Sequence, residues 1–339
     1  MAKTILGIDI GEDTLKLALM KGGRLKKYVT ADMPDMLVKE GRVVSTEAMG
    51  ELLRSVMQQN SIRCREAAVL LSGESVFMRS VSMPRMTAEQ LEYNLPYEFR
   101  DYITDDLKNY VFDYAMLSTP EELAADPADG GSTMELLAVA APIALLDDMR
   151  EIVRKAGMKL AIAAPAACAW ANILRRYEKA HASEAYGEYC IVDLGYTNIR
   201  MHMFRGDRYV TTRELDSGIS SIIQVVAEAY NVDEHLARTY LLTNHEDCQT
   251  NEFCVNAYNN ISVGLMRAIN FYQFSNPESR LADIWLCGGG AEIAALRNSL
   301  QEMVSLNIHP VEGLVEANSG KGSPAAAPSV MPAIGITLG

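Results

Sequence analysis

Two nine-residue stretches place an aspartate, a glycine and a polar turn in the same order. The first is Ile8-Asp9-Ile10-Gly11-Glu12-Asp13-Thr14-Leu15-Lys16, and the second is Val192-Asp193-Leu194-Gly195-Tyr196-Thr197-Asn198-Ile199-Arg200. In each, an apolar strand ends in Asp, one apolar residue and Gly follow, and a short polar turn leads into a second strand. Glycine lets the backbone turn tightly, so that amides can face a phosphate. Aspartate at the strand end can hold a hydrated Mg²⁺ beside those phosphates. A third turn, Gly288-Gly289-Gly290-Ala291, joins a strand to a helix N-terminus. It leaves room for a flat adenosine against the backbone and offers a helix dipole to phosphate. Alone, each signal is weak, because many hairpins carry Asp-x-Gly and a glycine run is often a plain strand-to-helix turn. Together and in this order, they suggest two related halves facing each other across a ligand cleft.

The surrounding elements must hold these turns. Residues 4–10 and 15–20 read as a hairpin, with Lys21-Gly22-Gly23-Arg24 as the next turn. Ser45 caps a helix whose Met49, Leu52, Leu53, Val56 and Met57 share one face. Strands follow at 67–71, ended by Ser72-Gly73-Glu74, and at 75–83. Thr87-Ala88-Glu89-Gln90 is a capping box, and Pro96 should divide the helix it opens, because proline lacks an amide hydrogen. Strands at 110–117 and 135–140 flank an acidic loop at 120–133. A helix at 144–155 is closed by Gly157, and a strand at 159–163 leads into a helix at 166–179.

The second half repeats the scheme. Strands at 189–193, 199–204 and 209–215 form a meander, followed by helices at 219–230, 233–242 and 255–274. In the last of these, Val255, Tyr258, Leu265, Met266, Ile269 and Tyr272 form an apolar stripe. A strand at 283–287 runs into the glycine turn and a helix; a Gly/Ser/Ala/Pro-rich loop spans 318–329, and a short helix begins at Pro332. Hairpins interleaved with crossover helices give an α/β protein of two lobes. The expected lobes are 1–184, with a small α+β subdomain inserted at about 82–142, and 185–339, with a helical subdomain at about 216–282.

Composition narrows the function classes. A chain of 339 residues suffices for two sizeable cores. Its net charge of −13 argues against non-specific binding to nucleic acid or anionic lipid, both of which need a basic surface. The most apolar stretch, 160–171, is too short to span a bilayer and contains Pro165. Met-Ala-Lys-Thr runs directly into a strand pattern, without the apolar core of a signal peptide. Cys64, Cys168, Cys190, Cys248, Cys254 and Cys287 include no Cys-x-x-Cys pair and read as reduced thiols of a cytoplasmic protein. The grouping of His245, Asp247, Cys248 and Cys254 fits no zinc spacing.

With these motifs in this order, the chain resembles the actin-like ATPase superfamily. Its two hairpins are similar to the superfamily's phosphate loops, and Leu286-Cys287-Gly288-Gly289-Gly290-Ala291 to its adenosine motif. Ala164-Pro165-Ala166-Ala167-Cys168-Ala169 and Pro332-Ala333-Ile334-Gly335 look like its connecting helices. Within the superfamily the chain most resembles the PilM family of type IV pilus assembly, with FtsA more distant. Arg79-Ser80-Val81-Ser82-Met83-Pro84-Arg85-Met86-Thr87-Ala88-Glu89-Gln90-Leu91-Glu92 carries that likeness most specifically. Phe112-Asp113-Tyr114, Leu136-Leu137-Ala138-Val139-Ala140-Ala141 and Lys155-Ala156-Gly157-Met158 continue it through a subdomain that PilM and FtsA share and actin lacks. The likeness is weaker over 231–254 and 312–331.

The resemblance implies a duplicated, ribonuclease-H-like fold with ATP and Mg²⁺ between the lobes. It puts nucleotide on Asp9, Gly11, Glu12, Asp13, Thr14, Lys16, Asp193, Gly195, Tyr196, Thr197, Asn198, Gly218, Gly288, Gly289 and Gly290, and metal on Asp9 and Asp193. It implies a cytoplasmic scaffold that docks the N-terminal tail of a PilN-type inner-membrane protein near 72–83 and 91–102. Such a protein sits at the membrane's inner face through its partner, binds no nucleic acid and is at most a slow ATPase; self-association stays open. The departures matter. PilM phosphate loops carry small hydroxyl residues where this chain has Glu12 and Asp13, whose charges repel a triphosphate unless Mg²⁺ or lysine compensates. Tyr196 is bulky where the family has small residues. The family's adenosine-contacting Glu and Lys fall near Leu236 and Thr239, or on Glu234 and Arg238 if the register slips. Lys16 and Arg200 either reach phosphate or lie solvated on their strands. Other readings are an FtsA-like filament, a pseudo-ATPase that binds no nucleotide, and a small-molecule kinase. The chain shows no basic amphipathic segment at its end, which counts against the first, and no convincing aspartate base for the last.

Overall fold

The computed structural model describes residues 3–72, 76–117, 133–181, 187–316 and 326–339. The expected turn at 73–74, nearly all of the loop at 120–133 and most of that at 318–329 lie outside these residues.

The duplication is visible in the sheets. In the first lobe, β1 (Thr4–Ile10), β2 (Thr14–Lys21) and β3 (Arg24–Asp32) form an antiparallel meander. To β1 is added, in parallel, β6 (Glu66–Leu71), and to β6 β10 (Lys159–Pro165). In the second, β11 (Glu188–Leu194), β12 (Ile199–Arg205) and β13 (Arg208–Leu215) form the meander. The parallel strands there are β14 (Asp283–Cys287) and β15 (Asn307–Pro310). Both sheets therefore run meander, first crossover strand, second crossover strand. Neither β3 nor β15 follows from periodicity alone. β3 lies at a sheet edge with Lys26 and Lys27 exposed, and β15 has only four residues, so neither shows a clean apolar alternation.

Local signals place the helices. Ser45 Oγ accepts from the Ala48 amide at 3.2 Å and starts α1 (Thr46–Gln59), which buries Met49, Leu53, Val56 and Met57. Thr87 and Gln90 form the reciprocal capping box of α2 (Ala88–Asn94). Pro96 converts the continuation into a 3-10 segment, Leu95–Phe99. Between β6 and α3 (Ile143–Lys155) sits the inserted unit, a sheet of β7 (Phe77–Pro84), β8 (Tyr110–Met116) and β9 (Thr133–Pro142) with β9 central. β7 starts at Phe77, so residue 82 falls inside a strand rather than at the edge of the inserted unit. Val81, Met83, Leu91, Leu95, Phe99, Met134 and Leu136 form its own small core.

The lobes join through α4 (Ala166–Ala180) and the C-terminal helix Met331–Gly335. Trp170, fully buried, shares one cluster with Ile5, Ala18 and Ala68 of the first sheet and Ile191, Phe204 and Cys287 of the second. Gly7 permits this packing, because a Cβ there would strike the Ala333 carbonyl. The helical part of the second lobe comprises α5 (Ile219–Tyr230), α6 (Glu234–Thr243) and α7 (Glu252–Ser275). On α7 the buried stripe is Cys254, Tyr258, Ile261, Leu265, Ile269 and Tyr272. Val255, expected in it, is exposed, and Cys254 takes the inward place one residue earlier.

Candidate functional site

A cleft of about 710 Å³ lies between the two Asp-x-Gly hairpins. Asp9, Gly11, Glu12, Asp13, Thr14 and Lys16 line it from the first lobe; Asp193, Gly195, Tyr196, Thr197, Asn198, Gly288 and Gly289 line it from the second. Gly218 and Gly290, also expected on the ligand, are not among the residues that line this cleft. A Cβ on Gly218 would meet the Asn198 amide nitrogen at 2.7 Å, and one on Gly290 would meet Leu194 Cβ at 2.7 Å. Gly218 lies tight against the backbone of 196–198, and Gly290 against the side chains of Leu194 and Ile219.

The centre of the cleft carries two aspartates and one lysine. Asp9 and Lys16 are cross-strand partners, and Lys16 Nζ donates to Asp9 Oδ2 at 3.0 Å. The lysine side chain is only 15% exposed. Burial works against its charge, but Asp9 and then Asp193 outweigh burial, and its pKa rises. Asp193 is partly buried and lines the cleft; desolvation raises its carboxyl pKa while Lys16 opposes the rise. Gly288, at φ 82°, closes over this carboxylate, since a Cβ there would collide with Asp193 Oδ1. Among the described residues no group of three or more His, Cys, Asp or Glu forms a metal cage. Two carboxylates facing a phosphate-sized space do fit Mg²⁺, which binds through one or two carboxylates and keeps water or phosphate as its other ligands. Any such ion shares Asp9 with Lys16.

The two carboxylates expected to repel a triphosphate are already engaged. Glu12 Oε1 accepts from the Gly41 amide at 2.6 Å. Gly41 lies in the turn between the two-residue strands β4 (Val38–Lys39) and β5 (Arg42–Val43), so Glu12 ties that hairpin to the cleft wall. Asp13 lies 2.9 Å from Arg238 Nη2 of α6. Burial raises the Asp13 pKa, and the Arg238 charge pulls it back. Of the α6 positions weighed for ligand contact, Arg238 faces the cleft, together with Leu241 and Leu242. Leu236 and Thr239 do not; Leu236 is 39% exposed on the outer face. The helix starts at Glu234 behind the Asp233 cap, and this register points 238 and 241–242 inward.

Arg200 is not a free strand cation. It pairs with Glu214 Oε2 of β13 at 2.9 Å, and Asn198 bonds the same carboxylate. Tyr196 lines the cleft half-buried, which raises its phenol pKa, and neighbouring Glu234 adds to the rise. A residue without sequence signal is His202. It lies on the cleft-facing side of β12, fully buried, with Nδ1 2.9 Å from Thr212 Oγ1 and Nε2 without a partner. Burial pushes its pKa down to about 3. Only strand pairing puts it beside Thr212, which is why no motif announces it.

The expected docking region behaves differently. The inward sides of β7 and of the helix that follows it pack on each other, so their apolar residues are not on offer. Tyr93, Tyr97 and Tyr102 remain exposed. The Arg79 guanidinium sits 4.4 Å from the Tyr102 ring centroid and donates to the Glu98 carbonyl at 2.6 Å; Arg100 sits 4.2 Å from that of Tyr97. Among the described residues, no helix is long and apolar enough to cross a membrane.

Comparison with known proteins agrees with this architecture. The structure is similar to the PilM–PilN type IV pilus biogenesis complex, with a TM-score of 0.83, 21% identity, and coverage of 98% of this chain and 97% of that one. It is similar to the ethanolamine utilization protein EutJ from Carboxydothermus hydrogenoformans, with a TM-score of 0.60, 12% identity, and coverage of 100% and 89%. MreB5 of Spiroplasma citri bound to ADP matches with a TM-score of 0.52, 12% identity, and coverage of 99% and 95%. At these identities the likenesses show a shared actin-like fold. The sequence model of the type IV pilus assembly protein PilM matches residues 7–338. With nearly its whole length matched, the chain belongs to the PilM family of type IV pilus assembly proteins.

Proposed function

We propose that this chain is the actin-like scaffold of a type IV pilus assembly machine and binds the N-terminal cytoplasmic tail of a PilN-type inner-membrane partner. The observation that carries this reading is the family match over 7–338, which includes the inserted three-stranded unit. The tail docks on the surface formed by β7 and the segment 91–102, where Tyr97 and Tyr102 are exposed beside Arg79. An extended peptide gains main-chain bonds from a strand and side-chain contacts from aromatic rings, which suits such a surface. Titration calorimetry with the partner's tail peptide tests this. Saturable binding that weakens in Tyr102→Ala is expected; absence of binding by every pilus-assembly tail overturns it.

An adenine nucleotide with Mg²⁺ occupies the cleft in the same proposal. Lys16 and the amides of the 11–14 and 195–198 turns bind phosphate, Gly288 and Gly289 lie under the nucleoside, and Asp9 and Asp193 hold the hydrated metal. The metal neutralises phosphate charge; the protein supplies a fixed frame that joins the lobes. Nucleotide thereby sets the angle between the lobes and biases partner binding through linkage. Thermal unfolding with and without Mg-ATP checks this. Ligand at a hundred times its dissociation constant adds about 2.7 kcal/mol, so an unchanged melting temperature at millimolar Mg-ATP argues for a scaffold without nucleotide.

A further inference from the structure

The two lobes meet a second time, far in sequence from the core that joins them. Arg238 of α6 lies 2.9 Å from Asp13 in the first hairpin, and its Nη1 donates to Asp32, at the end of β3, at 3.2 Å. One turn earlier, His235 Nε2 lies 3.2 Å from Asp35. Asp13 and Arg238 are 26% and 28% exposed, so water screens them only partly, whereas Asp32, His235 and Asp35 are open to solvent. The Asp13–Arg238 pair is therefore the dominant contact, and the outer pairs add little. A guanidinium suits the place, because its planar fork serves two carboxylates from different segments at once. Glu12 is taken by the Gly41 amide and leaves Arg238 as the cation paired with Asp13. Around Trp170 the lobes are fixed by apolar packing, which acts as a hinge. On the α6 side of the cleft the joint consists of a few ion pairs, which separate at much lower cost.

We propose that Arg238, gripped by Asp13 and Asp32, is an interlobe clasp that holds the cleft closed in the nucleotide-free protein, and that bound nucleotide takes over the joining of the lobes. The first half stands on the ion pairs alone. The second half, that nucleotide takes over the joining of the lobes, rests on the nucleotide reading above.

Spin labels at exposed Glu51 on α1 and Ala229 on α5, carried by an introduced unnatural amino acid because of the native cysteines, report the separation of the lobes. In nucleotide-free protein, Arg238→Ala should shift and broaden the distance distribution. The Asp13→Asn/Asp32→Asn double variant should reproduce the change, and Arg238→Lys should show less of it. Circular dichroism confirms that each variant is folded. Mg-ATP should return Arg238→Ala to the parent distribution. Parent-like distributions in both Arg238→Ala and the double variant overturn the clasp. A distribution that opens but ignores Mg-ATP overturns the nucleotide reading and leaves the clasp standing.

Discussion

Lys16 and Asp193 come from different lobes, yet the lysine supplies the main favourable charge felt by that partly buried aspartate. The two hairpins are built alike, with Asp9 opposite Lys16 and Asp193 opposite Arg200. They differ in where the cation goes. Lys16 stays on its own partner at 3.0 Å, whereas Arg200 turns to Glu214 at 2.9 Å. One ammonium group therefore serves both aspartates of the cleft.

Lys16→Met should cost about 1–3 kcal/mol at pH 7, because it leaves two partly buried carboxylates without their cation. The raised lysine pKa means that its contribution is complete below the ordinary value of 10.5 and is lost only as pH climbs through the raised one. In the variant, Asp193 loses the charge that opposes its raised pKa, so the penalty shrinks as pH falls and this acid takes up a proton. Urea denaturation at pH 7 and pH 5 checks this; an equal loss at both would sink the electrostatic account.

His202 should make the protein acid-sensitive. Its pKa of about 3 lies below the ordinary 6.5, so the unfolded chain binds a proton that the folded chain refuses. Stability from this group is complete above pH 6.5 and declines as pH falls toward 3, by up to roughly 4–5 kcal/mol at 1.36 kcal/mol per unit. His202→Gln should flatten the stability profile between those limits in guanidinium titrations. A profile as steep as the parent's would assign the acid sensitivity elsewhere.

Adjacent glycines should respond differently to alanine. Gly288 has φ 82° and packs on Asp193, so Gly288→Ala should cost about 1–3 kcal/mol through backbone strain and displacement of the carboxylate. At Gly289 the nearest atom to an added Cβ is Ile219 Cδ1 at 3.7 Å, an ordinary contact, and the alanine variant should melt close to the parent. Equal melting temperatures for the two variants contradict the geometry.

Glu12 should matter as an acceptor and not as a charge. Glu12→Ala leaves the Gly41 amide without its partner, a loss of about 1–2 kcal/mol, while Glu12→Gln keeps an acceptor in place. Hydrogen exchange at Gly41 should accelerate in the alanine variant and stay near the parent rate in the glutamine one. Similar acceleration in both would show that charge holds the hairpin.

Much of the frame is legible in the chain because it is local. Ser45 and the Thr87–Gln90 box bond within three or four residues, and the Asp-x-Gly hairpins need only a glycine and two apolar strands. Signals weaken where an element's environment is not periodic. β3 borders solvent, and on α7 packing takes Cys254 inward and leaves Val255 exposed, although both lie near the edge of the apolar face.

The sequence by itself determined the two hairpins, the glycine turn, the order of strands and helices and the resemblance to the PilM family, since each is written in short-range residue patterns. Tertiary structure alone decided which charges meet. Arg238 reaches Asp32 across 206 positions of chain, and His202 meets Thr212 through strand register. Such contacts depend on how two rigid lobes sit against the Trp170 core and on where each helix turns its face. Periodicity says that a face exists, and packing selects what stands opposite it.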